Sequence, residues 1–491
     1  MGGTPVSDAA GLRTIRTEIP ARLDRLPWSR FHWLIVFGLG TAWILDGLEV
    51  TMVGNVSSRL TEPGSGIEIT AGQIGLAGSI YVVGACLGAL VFGQLTDWYG
   101  RKRLLLITLS VYLIATAATA ASFEPWFFYL CRFFTGVGIG GEYAAINSAI
   151  DELIPARYRG RVDLAINGGY WLGAAGGALL AVVLLNTAVF AADLGWRIAF
   201  LIGVVLGFAV LLVRRHVPES PRWLFIHGRD REAESTVEGV ERAVTEQTGR
   251  QLARPEQSIT VRQRRSISIA EIARTAFRTY PRRSLLCLAL FLGQAFLYNA
   301  VTFDLGTLLS EFFAVGSGAV PYYFAIYALA SLAGPLTLGR LFDTVGRKTM
   351  ISGCYLGSAA LLTVTGLLFV GGGLTSWTFL VMLVVTFFFA STGASAAYLT
   401  VSEIFPMETR ALAIAFFYAV GTAAGGVAGP VLFGRFIESG SAELVALGFY
   451  IGAAIMALGG IAELAFGIKA EGRSLEDIAT PLTAQQDQSS S

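Results

Sequence analysis

The chain has 491 residues, of which 54% are hydrophobic and only 14% charged, with a mean hydropathy of +0.61 and a formal net charge of +1. This balance excludes an ordinary soluble domain. Four cysteines, Cys86, Cys131, Cys287 and Cys354, all fall in apolar runs without metal or disulfide spacing and read as small packing residues; no metal and no cofactor is expected.

Residues 1–30 are polar and Arg-bearing, and the apolar run that follows is too long for the core of a cleavable signal. Runs long enough to cross a bilayer begin near Phe31, Ala71, Leu104, Pro125, Val162 and Trp196. After a gap they resume near Ser284, Val320, Thr349, Ser376, Ala411 and Leu444. The predicted organisation is a segment 1–30, a six-helix bundle 31–217, a linker 218–283, a second six-helix bundle 284–468 and a tail 469–491. In the linker, Arg229 to Gly249 reads as an exposed, charged helix. Ile269, Ile272, Ala276, Phe277 and Tyr280 form an apolar stripe among arginines, as in a helix lying on a membrane surface. Arginines crowd alternate connections (13–30, 101–103, 157–161, 340 and 347), which predicts that both termini are cytoplasmic.

One stretch occurs twice. Gly93 to Lys102 reads GQLTDWYGRK and Gly339 to Lys348 reads GRLFDTVGRK, 246 residues apart. Asp97, Gly100, Arg101 and Lys102 match Asp343, Gly346, Arg347 and Lys348. A tight link between two spans needs a glycine able to reach positive φ, and the Arg-Lys pair holds it on the cytoplasmic side. Duplication at half-chain spacing predicts two homologous halves.

Ionisable groups inside spans are costly and therefore functional candidates. The first span carries Asp46 and Glu49, on one helix face at i, i+3; the fourth carries Arg132 and Glu142. At 1.5 Å per residue, Glu49 and Arg132 both lie roughly 10 Å from the outer boundary, and Glu142 about 25 Å down. Glu49–Arg132 is the expected pair. His32, His216 and His227 fall at or beyond cytoplasmic helix ends, so a coupled proton would need a carboxylate.

The repeated stretch resembles the loop motif of the major facilitator superfamily. Other segments extend the resemblance: ELIPARYRG from Glu152, its half-repeat EIFPMETR from Glu403, PESPRWL from Pro218 and GRSLEDI from Gly472. These are similar to the sugar-porter branch and to the related synaptic-vesicle-protein and organic-ion branches. The resemblance implies an all-α membrane protein with twelve transmembrane helices in two six-helix pseudo-symmetric bundles. It implies a cytoplasmic gate built from Gly93, Asp97, Gly100, Arg101, Lys102, Glu142, Glu152, Arg159, Gly339, Asp343, Arg347, Glu403 and Arg410. A first-helix carboxylate and a fourth-helix arginine carry proton coupling in that family, and Glu49 and Arg132, with the extra acid Asp46, match those positions. Gln294 and Asn299 match polar positions that meet substrate hydroxyls, and Tyr398 stands for a tenth-helix tryptophan. Asn167, Tyr170, Trp171, Tyr298 and Asp304 complete the substrate-binding candidates. Gly293, Ala174 and Asp304 depart from the sugar-porter pattern and weigh against a hexose; the resemblance places Asp304 at the cavity, level with Arg132, either as a protonated, hydrogen-bonded carboxyl or as the partner of a positive charge on the solute.

These readings predict a secondary active transporter working in the cell membrane, proton-coupled symport of a small organic solute, by a monomer in the lipid bilayer. Sugar uniport, drug/proton antiport and a non-transporting receptor are the alternatives. No nucleophile–base pair or phosphate-binding loop supports an enzyme, and nucleic acid is not an expected partner.

Overall fold

The computed structural model describes residues 14–60, 64–67, 69, 71–214, 219–249, 251–255, 258–262, 273–316, 318–406, 410–471, 473, 478 and 479. Among these, twelve long helices form two bundles. The first comprises α2 (Arg30–Leu60), α3 (Ala71–Tyr99), α4 (Arg101–Ala120), α5 (Pro125–Leu153), α6 (Ala156–Leu184) and α7 (Gly195–Arg214). The second comprises α10 (Pro281–Phe313), α11 (Val320–Thr344), α12 (Arg347–Val370), α13 (Ser376–Ile404), α14 (Arg410–Glu438) and α15 (Ala442–Phe466). Eleven are long and apolar enough to cross a membrane; the twelfth, α5, is 29 residues long and carries Arg132 and Glu142. Their outward faces show Phe37, Leu76, Ile114, Val205, Phe208, Leu367 and Leu458 to the surroundings. An apolar exterior over helices whose backbones are internally hydrogen-bonded is the arrangement a bilayer demands.

The packing repeats between halves. α2 lies on α6 as α10 lies on α14, α3 on α5 as α11 on α13, and α4 on α7 as α12 on α15. The halves meet where α6 packs on α11 and α3 on α14. Small residues permit the second approach: a Cβ on Gly93 would stand 2.5 Å from Ala415 Cβ.

A separate lobe gathers at the end carrying the repeated motif. The N-terminal strand β1 (Thr14–Thr17) pairs antiparallel with β2 (Ile259–Arg262) of the linker. Ile19, Leu23 and Leu26, from helix α1 (Ile19–Asp24) and just beyond, pack against α8 (Pro221–Ile226) and α9 (Asp230–Thr248). Helix α9 is therefore not simply exposed, as the charge pattern suggested. Ala233, Val237, Val240 and Val244 recur at helical spacing and are buried, because the N-terminal segment returns to cover them. Glu241 on the same helix accepts from Arg22 Nη2 at 2.7 Å and Arg25 Nη2 at 2.5 Å. Burial acts to raise its pKa, but these bonds prevail and hold the carboxyl below its usual 4.5.

The stripe expected to lie on the membrane is only partly described, since Ile269, Ile272 and the tail segment beginning at Gly472 fall largely outside the described residues. Ala276 is buried and Phe277 exposed in a short helical stretch, Thr275–Thr279, and α10 begins at Pro281, three residues before the expected start of its bundle.

Candidate functional site

A cavity of about 110 Å³ lies between the bundles. It brings together Asn167, Tyr170 and Trp171 of α6, Gln294, Tyr298 and Asn299 of α10, and Tyr398 of α13. On α10 the lining residues 294, 295, 298, 299 and 302 follow the i, i+4 rule of one helix face. The structure adds Trp43, Tyr81, Tyr143 and Tyr418 to the wall, residues that sequence reasoning passed over. A tyrosine in a run of small residues, such as GGEYAA, was the available signal, but it reads equally well as packing. Trp43 stacks on Tyr143 with centroids 4.6 Å apart, and Trp171 Nε1 donates to the Tyr298 hydroxyl at 3.1 Å. The described lining contains eight Tyr and Trp side chains, three side-chain amides and no charged group.

Asp304 is not part of this wall. It lies two residues beyond Thr302, about 200° round the helix at 100° per residue. Its Oδ1 is 3.8 Å from where a Cβ on Gly434 of α14 would stand. Helix rotation places the carboxyl in the packing between α10 and α14, away from the described lining of the cavity.

Glu49 and Arg132 meet inside the first bundle, both buried, with Arg132 Nη2 2.9 Å from Glu49 Oε1. Thr116 donates to the same oxygen at 3.1 Å, and Arg132 also donates to Thr119 at 2.8 Å. The guanidinium lies over the ring of Phe200, 5.0 Å from its centroid. Asp46 is fully buried and neither carboxyl oxygen has a hydrogen-bond partner among the described residues. Glu142 is held by Arg214 of α7 through bonds of 3.0 and 3.1 Å, and Arg214 lines a small cavity with Arg101 and Lys102 of the motif.

The motif end closes through repeated geometry. Gly100 and Gly346 adopt φ of +91° and +113°, a region that disfavours side chains, and each starts the following helix. Arg101 reaches Glu152 at 2.9 Å, and Arg347 grips Glu403 through two bonds of 2.9 Å. Asp343 accepts from Arg347 at 2.8 Å and from the Arg161 backbone of the other half at 3.1 Å. Arg159 lies 3.9 Å from Glu403 across the same seam. Gly339 packs beside Arg161, and Arg410 donates to the Ser402 carbonyl at 2.6 Å. The Lys102 backbone N–H donates to Glu219 at 3.2 Å, while the side chain of Asp97 lies outside the described residues. Sequence reasoning missed the caps: Glu219 accepts from the Arg101 N–H at 2.9 Å and Glu471 from that of Arg347 at 3.4 Å, each acid sited at a positive helix N-terminus.

Two bundles, their internal repeat and this doubled seam describe one architecture, and residues 39–482 match the family model described as "Sugar (and other) transporter". The chain belongs to that family. This sugar transporter family member is 28% identical over 418 residues to the niacin transporter NiaP of Acinetobacter baylyi, covering 84% of this chain and 89% of the relative. It is 25% identical to the 4-hydroxybenzoate transporter PcaK of the same organism, over 82% and 85% of the two chains. Its fold is that of the major facilitator superfamily proton:xylose symporter XylE, with a TM-score of 0.73 at 19% identity, covering 91% of this chain and 98% of that one. The family consists of transporters rather than enzymes, and this member is a multi-pass membrane protein.

Proposed function

We propose that the protein is a proton-coupled symporter of a small organic solute bearing a planar ring, working by alternating access between its bundles. The observation that carries this reading is the cavity between the halves, walled by tyrosine and tryptophan and free of charge among its described residues. Flat aromatic faces stack on flat rings. The tyrosine hydroxyls and the amides of Asn167, Gln294 and Asn299 supply donors for a carboxylate or hydroxyl on the ring. Similarity to carriers of niacin and 4-hydroxybenzoate supports the same class. Glu49, Asp46 and Arg132 are the coupling residues on this view, and the seam from Arg101 to Glu403 is the cytoplasmic gate, with both termini inside. The protein acts as a monomer in the cell membrane.

The test is uptake into proteoliposomes of labelled nicotinate, 4-hydroxybenzoate, myo-inositol and xylose, with and without a proton gradient. Gradient-driven uptake of a ring acid, abolished by protonophore, is the expected result. Uptake of xylose or inositol alone would overturn the ring specificity and favour the second reading, a polyol carrier, to which the three amides are equally suited. Insensitivity to protonophore would overturn the coupling.

A further inference from the structure

Helix α5 carries two buried ion pairs ten residues apart, about 15 Å along its axis: Arg132 with Glu49, and Glu142 with Arg214. Between them stands Tyr112 of α4, fully buried, its hydroxyl without a hydrogen-bond partner among the described residues. Its place is set by backbone proximity, since a Cβ on Gly138 of α5 would lie 2.7 Å from Tyr112 Cβ. Gly138 comes six residues after Arg132 and four before Glu142. Asp46 belongs to the same level: Trp43, three residues before it, stacks on Tyr143, the neighbour of Glu142. The groups facing this interior include Asp46 and Glu49 from α2, Tyr81 from α3, Tyr112 from α4, Arg132, Glu142 and Tyr143 from α5, Tyr170 from α6, Arg214 from α7, and Tyr398 and Tyr418 from α13 and α14. Beyond Arg214, toward the motif end, a second cavity with room for about one water (about 10 Å³) is lined by residues that include the cations Arg101, Lys102 and Arg214, with Leu39, Leu105 and Ser220.

A buried carboxyl with both oxygens unpartnered must hold a proton or find a counter-charge. A paired carboxylate such as Glu142 can accept a proton only by loosening its arginine. A tyrosine hydroxyl both donates and accepts, so it can pass a proton on without net change.

We propose that Asp46, Tyr112 and Glu142 form a proton path leading from the Glu49–Arg132 pair to the motif end, with Arg214 as the counter-ion that drives release. This rests on the proton-coupled reading above. In the transfer, the Asp46 proton moves to the Tyr112 oxygen as the Tyr112 proton moves to Glu142, each step through a bridging water. Asp46 is left as a carboxylate, tyrosine is regenerated, and Arg214 is freed from Glu142. Loss of that proton to water in the second cavity restores the Glu142–Arg214 pair beside gate residue Arg101, which would link proton release to the gate.

Two measurements test it. In the first, protonated-carboxyl stretching bands of the purified protein are followed by infrared spectroscopy during a pH titration, which needs no solute. Glu142→Gln should remove one band and displace the titration of the band assigned through Asp46→Asn; Tyr112→Phe should displace the Asp46 band as well. An Asp46 band that titrates identically in wild type, Glu142→Gln and Tyr112→Phe would overturn the path. In the second, Tyr112→Phe should cut proton-driven nicotinate accumulation roughly tenfold or more while solute exchange persists. Equal losses of accumulation and exchange would mark Tyr112 as a packing residue and also overturn it. Wild-type accumulation indifferent to protonophore defeats the symport reading instead, and the infrared titration still decides the path.

Discussion

Arg132 donates to Glu49 at 2.9 Å on a side of α2 turned about 120° from Trp43, so the ion pair sits behind the cavity wall. On the proposed function, solute and proton sites are thus separate, joined through one helix. Glu49→Gln keeps shape and hydrogen bonding but removes the titratable group. It should abolish uphill accumulation while counterflow exchange survives, measured in the same vesicles. Full accumulation in the mutant would move the coupling role to Asp46.

The ion pairs at the motif end are expected to matter in both halves. Arg347 holds Glu403 by two bonds and also Asp343, which reaches the other half at Arg161, and Arg101 is bonded to Glu152. Removing one partner of a buried pair costs about 3–5 kcal/mol. Arg347→Ala and Arg101→Ala should therefore each lower thermal stability and slow transport. An unchanged melting temperature and transport rate in either variant would count against the role.

Gly93 sits where α3 packs tightly on α14, and a Cβ there would stand 2.5 Å from Ala415 Cβ. Gly93→Val should wedge the motif end apart. Cysteines placed along the inner part of α3 should then react faster with a water-soluble maleimide, and unchanged labelling would show that the helices absorb the side chain.

Asp304 lies off the cavity, so Asp304→Asn should leave solute affinity within about twofold, less than 0.5 kcal/mol. A tenfold loss of affinity by isothermal calorimetry would return Asp304 to the binding site.

Contact between the N-terminal segment and the linker should depend on pH. The Glu241 pKa is lowered from 4.5 by Arg22 and Arg25, so its stabilising contribution is fully present above about 4.5 and is lost as pH falls through the lower folded value. Fluorescence transfer between labels on α1 and α9 should fall on acidification below that point. In Glu241→Gln the transfer should already be reduced at neutral pH and change little on further acidification.

The number of spans, the division into halves and the tight glycine turns at Gly100 and Gly346 were legible from sequence alone, because length, repetition and local backbone demand are properties of the chain in one dimension. Depth is also one-dimensional, at 1.5 Å per residue, and it sufficed to match Glu49 with Arg132. Rotation of a helix about its own axis is different, since in an apolar span little periodicity separates the face toward lipid from the face toward protein. Tertiary packing alone therefore turned Asp304 from the cavity, brought Trp43, Tyr81, Tyr143 and Tyr418 into its wall, and gave Glu142 to Arg214. It also folded residues 14–26 onto the linker, where α9 presents a buried apolar stripe whose partner lies some 200 residues away in the chain. Such pairings depend on which neighbours arrive, and no local pattern encodes that.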